Sequence, residues 1–584
     1  MGKSPKIMVL DLTDKRTEVI EREDLAPYIG GVGIGVQLLK EYGNPKGEPL
    51  SEEQPMIFSK GPMNTIYPVV TKTCSLFKSP LTGELGESYA GARLSMAMGM
   101  AGLDGIVIKG KAKGPVALHI NNEHVEFKNA NPLWGLDTDE TTRLLHDDTG
   151  RRGLRSILVI GEAGEKEVAY SCVTVDTYRH FGRLGLGAVM GSKKVKAIVV
   201  EGDTSQPIPN PKEYRRVYKD IYEKVNNTDL MEKYHGIGTS INVNSLNDLK
   251  GLPTRNFQDN HFELANEISG ENFAEKHLIK KVACSGCTIG CIHIALLRKK
   301  FGESHEYESS ALAYDYELIY SLGTMLGVGD PQKLLQLIEM VELIGVDAIT
   351  MGVLLAWVTE AFDKDIIKEE ETLCRPKFGN VDDYCRMMKY IVEQPNDFYR
   401  VAAKGTDALA KKYGGRDFAM VLGKNEIAGY HTGYGNILGH TVGARHSHLD
   451  NGGYSFDQSM EELDKEKLVN QLLQEEIDRN LLNSLVICLF ARKVYDEVTV
   501  IDALKAIGYE VTEEQLKSLA KKIFIEKVKL KEEMGYSYAD SYFPKRFFDT
   551  KASGKKLQMD EMKDLLALYI SKIQDLKESS LHTS

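Results

Sequence analysis

A chain of 584 residues, 42% hydrophobic and 27% charged, is too long for one ordinary core and reads as a globular protein of two to four domains. Its 84 acidic and 73 basic residues leave a net charge of −11 without a long basic block, which argues against a nucleic-acid binder. The longest apolar stretches, such as residues 348–358, are about half of the roughly 20 residues a bilayer span needs.

The opening, MGKSPKIMVLDLTDK, carries neither a signal nor a transit pattern, because strand-like alternation begins almost at once; a cytoplasmic location is expected. Residues 6–12 and 18–20 flank a Thr-Asp-Lys-Arg turn, and 116–120 and 124–127 flank Asn-Asn-Glu. Segments 157–160, 168–175 and 197–200 read as further strands. Glycines crowd this region at Gly30–Gly35, Gly83–Gly91 and Gly182–Gly191. They serve sharp turns or let backbone approach a ligand. GRLGLGAVMGSKK (182–194) matches neither the dinucleotide fingerprint nor the P-loop. It is either a set of tight turns or a loop that meets an anionic cofactor with help from Arg183, Lys193 and Lys194.

The stretch 203–212, DTSQPIPNPK, has three prolines and is the best linker candidate. Beyond it the period is helical, through Leu334, Leu335, Leu337, Ile338, Val341 and Leu343, and again through Ile477, Leu481, Leu485 and Cys488. A second boundary is expected near 410–425. The fold class is therefore α+β, with a β-rich domain at 1–207 followed by mostly helical domains at 208–415 and 416–584.

Eight cysteines are too few for a disulfide scaffold. Cys284, Cys287 and Cys291 nevertheless sit together in ACSGCTIGC. Three close thiols and a distant fourth are a common way to hold an iron–sulfur cube, and Cys488, in the apolar stretch SLVICLF, is the candidate fourth. A structural zinc site and three unrelated thiols are the competing readings. No matching second cysteine pair exists, and His293 follows Cys291 too closely for an unstrained tetrahedron.

These segments together resemble the aldehyde:ferredoxin oxidoreductase family over nearly the whole chain. The carriers are VVTKTCSLFKSPLTG (69–83), AGLDGIVIKGKA (101–112), GRLGLGAVMGSKKVKAI (182–198), CSGCTIGC (284–291), HEYES (305–309), ELIGVDAIT (342–350), LLNSLVICLF (481–490) and FPKRF (543–547). The resemblance implies two pyranopterins gripping one tungsten, or molybdenum, through dithiolene sulfurs, with a [4Fe–4S] cluster beside one pterin. Soft sulfur ligands suit such a metal. Cys284, Cys287, Cys291 and Cys488 match the cluster thiolates. Glu308 matches a glutamate beside tungsten, His448 an active-site histidine, and Tyr430 a tyrosine lining the site. Lys72, Tyr89, Ala90, Gly91, Arg179, Gly182, Arg183, Gly185, Asp347, Asn483 and Ile487 fall at cofactor-contacting positions.

From the residues alone, Glu308 starts a helical run where a glutamate normally faces water, and His446 and His448 fit a solvated strand face more readily than a metal pair. The chain also departs from the family. Lys72 stands for an arginine, and Tyr89 for an asparagine that helps hold Mg2+ between the pterin phosphates. Asn483-Ser-Leu-Val-Ile-Cys488 replaces Asp-x-x-Gly-Leu-Cys, and Glu342 replaces an aspartate. Tyr430-His-Thr-Gly-Tyr434 replaces Tyr-Asp-Pro-Arg-Gly, and RHSHLDNGGY replaces an arginine- and glycine-rich stretch.

The resemblance therefore implies a divergent member that oxidises a small-molecule aldehyde to a carboxylic acid. Electrons would pass through the cluster to ferredoxin or a dedicated iron–sulfur subunit, in a homo- or hetero-oligomer. The alternatives are a low-potential reductase of the aroyl-CoA ring-reducing kind, and an iron–sulfur electron-transfer protein that has lost the pterin.

Overall fold

The computed structural model describes residues 3–148, 154–229, 231–302 and 306–581. In the N-terminal region β1 (Lys6–Asp11), β2 (Arg16–Glu21), β3 (Met56–Ser59), β4 (Thr73–Lys78), β5 (Leu85–Ala90) and β6 (Gly105–Lys109) form one sheet in the order β2-β1-β6-β3-β4-β5. β7 (Val116–Asn121), β8 (His124–Asn129), β9 (Arg155–Val159), β10 (Val173–Val175), β11 (Arg179–Phe181) and β12 (Val195–Glu201) form a second, in the order β11-β10-β9-β12-β7-β8. Each sheet is antiparallel apart from one parallel pair, β1 with β6 and β7 with β12.

Both faces of each sheet are covered, so successive side chains of one strand enter different cores. Met8, Leu10 and Phe58 meet Leu118, Leu158 and Ile198 between the sheets, where the Phe58 and Phe181 rings stand edge to face at 5.5 Å. Ile7, Ile57 and Val107 point the other way, beneath the helix Gly31–Tyr42 and Ile523 of the helix Glu513–Glu533. The Gly30–Gly35 cluster serves this packing. A Cβ on Gly31 would lie 2.2 Å from the Asn483 carbonyl oxygen, and one on Gly35 would lie 2.5 Å from Leu76.

Residues 203–210 connect β12 to the helix Pro211–Asn226, which Asn210 caps by accepting from the Glu213 amide. The remainder is mainly helical. One apolar core joins Leu334, Trp357, Tyr384 and Leu409 to Ile437, Leu472, Phe547 and Leu565, so it continues across the boundary expected near 415. The helix Ala348–Asp363 is buried almost all round, which accounts for its apolar run without a bilayer. Among the described residues no helix is long and apolar enough to cross a membrane.

Three segments differ from their sequence reading, each for a visible reason. Residues 168–172 turn to bond the helical region, Ala169 N–H to Ala403 O (2.8 Å) and Cys172 N–H to Gly345 O (2.9 Å), and the strand starts only at Val173. The run containing Glu308 is extended: β13 (Leu278–Val282), β14 (Ile292–Lys300) and β15 (Tyr307–Tyr314) form a three-stranded antiparallel sheet. The following helix, Tyr316–Leu322, begins only after its cap Asp315. The helix Lys465–Ser484 stops before Cys488, because Val486 adopts a left-handed φ of 51°.

Candidate active site

Four cysteines meet where the N-terminal region faces the helical one. Cys284, Cys287 and Cys291 lie in the loop between β13 and β14, and Cys488 lies just beyond the helix Lys465–Ser484. Cys287, Cys291 and Cys488 pack on the same apolar cluster, and Cys287 and Cys284 share another. Val69 ties the two loops together: its N–H donates to Gly286 O (3.1 Å) and its carbonyl accepts from Cys488 N–H (3.2 Å). It does so at a φ of 63°, a costly conformation for a β-branched residue that the surroundings must hold.

Two cations attend the thiols. Arg179 Nη2 lies 3.3 Å from Cys291 Sγ. Burial alone would raise the Cys284 thiol, but Arg179, Lys72 and a backbone amide outweigh it and hold that thiol below its ordinary value. Burial and then Cys488 push Cys287 up to about 12, and burial also raises Cys291. Gly91 completes the cradle, since a Cβ there would stand 2.6 Å from Cys284 Sγ. Four thiols beside two cations form a donor set that fits an iron–sulfur cluster carrying thiolate charge. Among the described residues no three His, Cys, Asp or Glu side chains converge closely enough to hold a single metal ion.

A cavity of about 610 Å³ adjoins this centre. β5 lines it with Glu87, Ser88 and Tyr89 and leads on to Gly91, while Leu489 and Phe490, also on its wall, follow Cys488 directly. Gly182 and Arg183 contribute from the loop after β11. Arg183 Nε donates to Asp347 Oδ2 (2.9 Å) and Nη2 to Glu426 O (2.6 Å), while Nη1 is buried without a partner. Asp347 also caps the helix Ala348–Asp363, accepting from Ile349 N (3.0 Å) and Thr350 Oγ1 (2.6 Å). Glu342, on the wall, pairs with His180 Nε2 at 2.8 Å.

His448 and Tyr430 face this cavity, and the carboxyl group between them is that of Glu317. Glu317 Oε1 lies 3.5 Å from His448 Nε2, and Glu317 Oε2 accepts from Gly429 N–H (3.1 Å). Burial pushes the Glu317 carboxyl up to about 8; Asp315 adds to the rise and the Gly429 amide opposes it. Burial, then His440 and neighbouring arginines, drive His448 well below its ordinary value, so its imidazole is neutral. Tyr430 packs 5.3 Å from the His448 ring and stacks on Tyr454 at 4.2 Å.

Glu308 is elsewhere. It projects from β15, exposed, and pairs with Lys299 Nζ at 2.9 Å; His305 of the same motif lies outside the described residues. The solvated-face reading of His446 and His448 is also corrected. Both are buried, His446 at a φ of 53° and His448 at the start of the short helix His448–Asn451. Sequence reasoning missed Glu317, although Asp-Tyr-Glu-Leu carries a recognisable helix cap, with Asp315 accepting from Leu318 N (3.2 Å).

The other expected contacts divide. Lys72 and Gly91 serve the thiol centre, and Ala90 is buried in β5 beside it. Tyr89 turns its hydroxyl to Glu87 (2.7 Å) beneath the Arg445 guanidinium. Gly185 makes a turn at a φ of 88°, where a Cβ would stand 2.1 Å from Ala169 O. Asn483 and Ile487 are buried behind the wall. Lys193 is also buried, donating to Glu52 O (3.2 Å) and Gly110 O (3.1 Å), and Lys194 lies over the Trp134 ring.

The unpartnered buried atoms Arg183 Nη1 and His448 Nδ1 on this wall, beside the Glu317 carboxyl, fit a polar ligand of cofactor size with donors and acceptors. A large internal cavity beside a thiol centre, between a β-rich unit and helices, defines the chain as a cofactor-dependent redox enzyme. It belongs to the aldehyde ferredoxin oxidoreductase family: the model of the family's N-terminal domain matches residues 7–202, and that of its domains 2 and 3 matches residues 216–571. The tungsten-containing aldehyde ferredoxin oxidoreductase of Pyrococcus furiosus is 30% identical over 92% of this chain and 90% of its own. The WOR-like subunit of an aliphatic sulfonate oxidoreductase from the same organism is 31% identical over 70% of this chain and 67% of its own. Among solved structures, the BamBC active-site complex of benzoyl coenzyme A reductase, bound to 1,5-dienoyl-CoA, superposes with a TM-score of 0.83 at 18% identity. That superposition covers 98% of this chain and 94% of that one.

Proposed function

We propose that the chain oxidises an aldehyde to a carboxylic acid at a tungsten or molybdenum bis-pyranopterin held in the 610 Å³ cavity. The electrons leave through a [4Fe–4S] cluster on Cys284, Cys287, Cys291 and Cys488 to ferredoxin or an iron–sulfur partner subunit. The observation that carries this reading is the buried pair of Glu317 and His448, 3.5 Å apart, in a cavity whose wall continues into the Cys488 loop and whose β5 wall leads on to Gly91 beside Cys284. A cube spaces its thiolates more widely than a lone zinc ion does, in keeping with the missing single-ion site among the described residues.

Arg183, Asp347 and Glu342 would hold the pterins by hydrogen bonds, and Arg179 and Lys72 would balance the cluster's thiolate charge. When bound, the metal–pterin unit supplies the two-electron redox chemistry. The overall change, aldehyde and water to acid with loss of two electrons and two protons, requires a group that moves protons in a closed site. Glu317 is that group, being poised near neutrality. Neutral His448 hydrogen-bonds the reacting oxygen, and Tyr430 closes the wall behind it. Tyr89, which stands where an asparagine would assist Mg2+, donates its hydroxyl to Glu87 instead.

The test is anaerobic purification from cells supplied with both metals, followed by metal analysis and aldehyde-dependent reduction of a viologen dye. About four irons and one tungsten or molybdenum per chain, with turnover, is the expected result. Four irons with neither heavier metal and no released pterin would overturn it in favour of a pure electron carrier.

A further inference from the structure

The cavity reaches solvent at a rim that the chemistry above does not use. The π-helical turn Met231–Ile237 brings Lys233 and Tyr234 there, and the loop after Cys488 brings Phe490 and Arg492. Tyr234 and Phe490 stack at 4.0 Å with their planes 10° apart. Lys233 Nζ lies 5.4 Å over the Tyr234 ring, and Arg492 Nη1 reaches Leu489 O at 2.8 Å. The turn is anchored by His235 Nδ1, which bonds Ile289 O (2.7 Å) in the cysteine loop. π-Helical turns occur disproportionately at functional sites.

Lys233 and Arg492 line this rim with Lys493 close to Lys233; Arg492 also bonds Tyr234, and among the described residues none of the three cations is in an ion pair with a carboxylate. The three repel one another: burial first, then Arg492 and Lys493, lowers the Lys233 ammonium below its ordinary value, with Asp229 opposing. A solvated surface patch would need no stacked aromatic platform and would not line the mouth of a 610 Å³ cavity. Unpaired cations at a cavity mouth draw in anions and orient them.

Building on the oxidation reading above, we propose that the substrate is an anion. It carries a carboxylate, sulfonate or phosphate group on the end remote from the reacting carbonyl, and Lys233 and Arg492 receive that group at the rim. The shared chemistry has two sources, a short anionic aldehyde or an acyl carrier with phosphates.

Calorimetric titration of the holoenzyme with succinate and, separately, with coenzyme A tests the proposal. At least one should bind, and Arg492→Glu should weaken that binding by about tenfold or more. Succinate binding points to the short anion, and binding of coenzyme A alone points to the carrier. No binding of either probe, or binding that both Arg492→Glu and Lys233→Glu leave within about threefold, overturns the proposal. Turnover of neutral butyraldehyde by the same preparation reports separately on the oxidation reading. Turnover without anion binding sinks the rim proposal alone; Arg492-dependent anion binding without turnover of any aldehyde sinks the oxidation reading alone.

Discussion

Burial strips water from the Glu317 carboxyl, and one backbone amide does not replace it, so the group stays largely protonated at neutral pH. As a proton acceptor it must first ionise. The value of kcat/KM for an aldehyde should therefore rise with pH up to about 8 and level off above it. Glu317→Gln keeps the shape and removes the ionisation, so it should abolish that limb and lower turnover by roughly 10²- to 10⁴-fold. Its iron and tungsten content should match the wild type. Glu308→Gln, on the exposed hairpin and paired with Lys299, should stay within about twofold. Viologen-coupled kinetics across pH 6–10, beside metal analysis, decides; a Glu317→Gln enzyme with an intact pH limb would remove this residue from proton transfer.

At the scale of elements, the thiol centre depends on three short loops held in register by Val69 and by close approach at Gly91. Gly91→Ala would place a methyl 2.6 Å from Cys284 Sγ, inside van der Waals contact, so the loop must retreat from its partners. The expected outcome is iron well below about four per chain with helical circular dichroism unchanged; full iron content in Gly91→Ala would show that the loop yields freely. Features this local were only partly legible in the sequence. The strands could be read because the two sheets bury alternating side chains in separate cores, and cysteine spacing reveals a thiol centre without knowledge of the fold. Positive φ leaves little mark on composition, so Val486, which ends the helix ahead of Cys488, and His446, which turns the histidine segment inward, could not be foreseen. The runs His-Glu-Tyr-Glu and Tyr-Asp-Tyr-Glu are alike, and sequence reasoning takes Glu308 from the first and passes over Glu317 in the second. Only the hairpin register, which pairs Glu308 with Lys299, separates them.

Across the whole molecule, the cavity wall is fixed by a buried ionic network that joins the N-terminal sheet to the C-terminal helices. Glu87 on β5 meets Lys527 Nζ at 2.6 Å and Arg445 Nε at 3.8 Å, and Arg445 in turn meets Asp450 at 2.6 Å. Lys527 also donates to Asn480 Oδ1 (3.0 Å), while Glu84, just before β5, meets His446 Nε2 at 3.2 Å and Lys531 Nζ at 3.6 Å. Burial would raise Glu84, but the hydrogen bond with His446 and the Lys531 and Lys424 ammoniums outweigh it and hold it at about 2. Buried pairs contribute little compared with well-packed apolar residues, yet losing one partner strands a charge. Lys527→Met should therefore destabilise the protein by about 3–5 kcal/mol, whereas Glu87→Gln/Lys527→Met, which strands no charge, should recover most of that loss. Recovery would appear as a return of the denaturant midpoint toward the wild type. If the double variant is as unstable as Lys527→Met, the cost lies in lost packing around the lysine stem, and the network does not act as a unit in positioning Glu87, Tyr89 and Arg445 on the cavity wall.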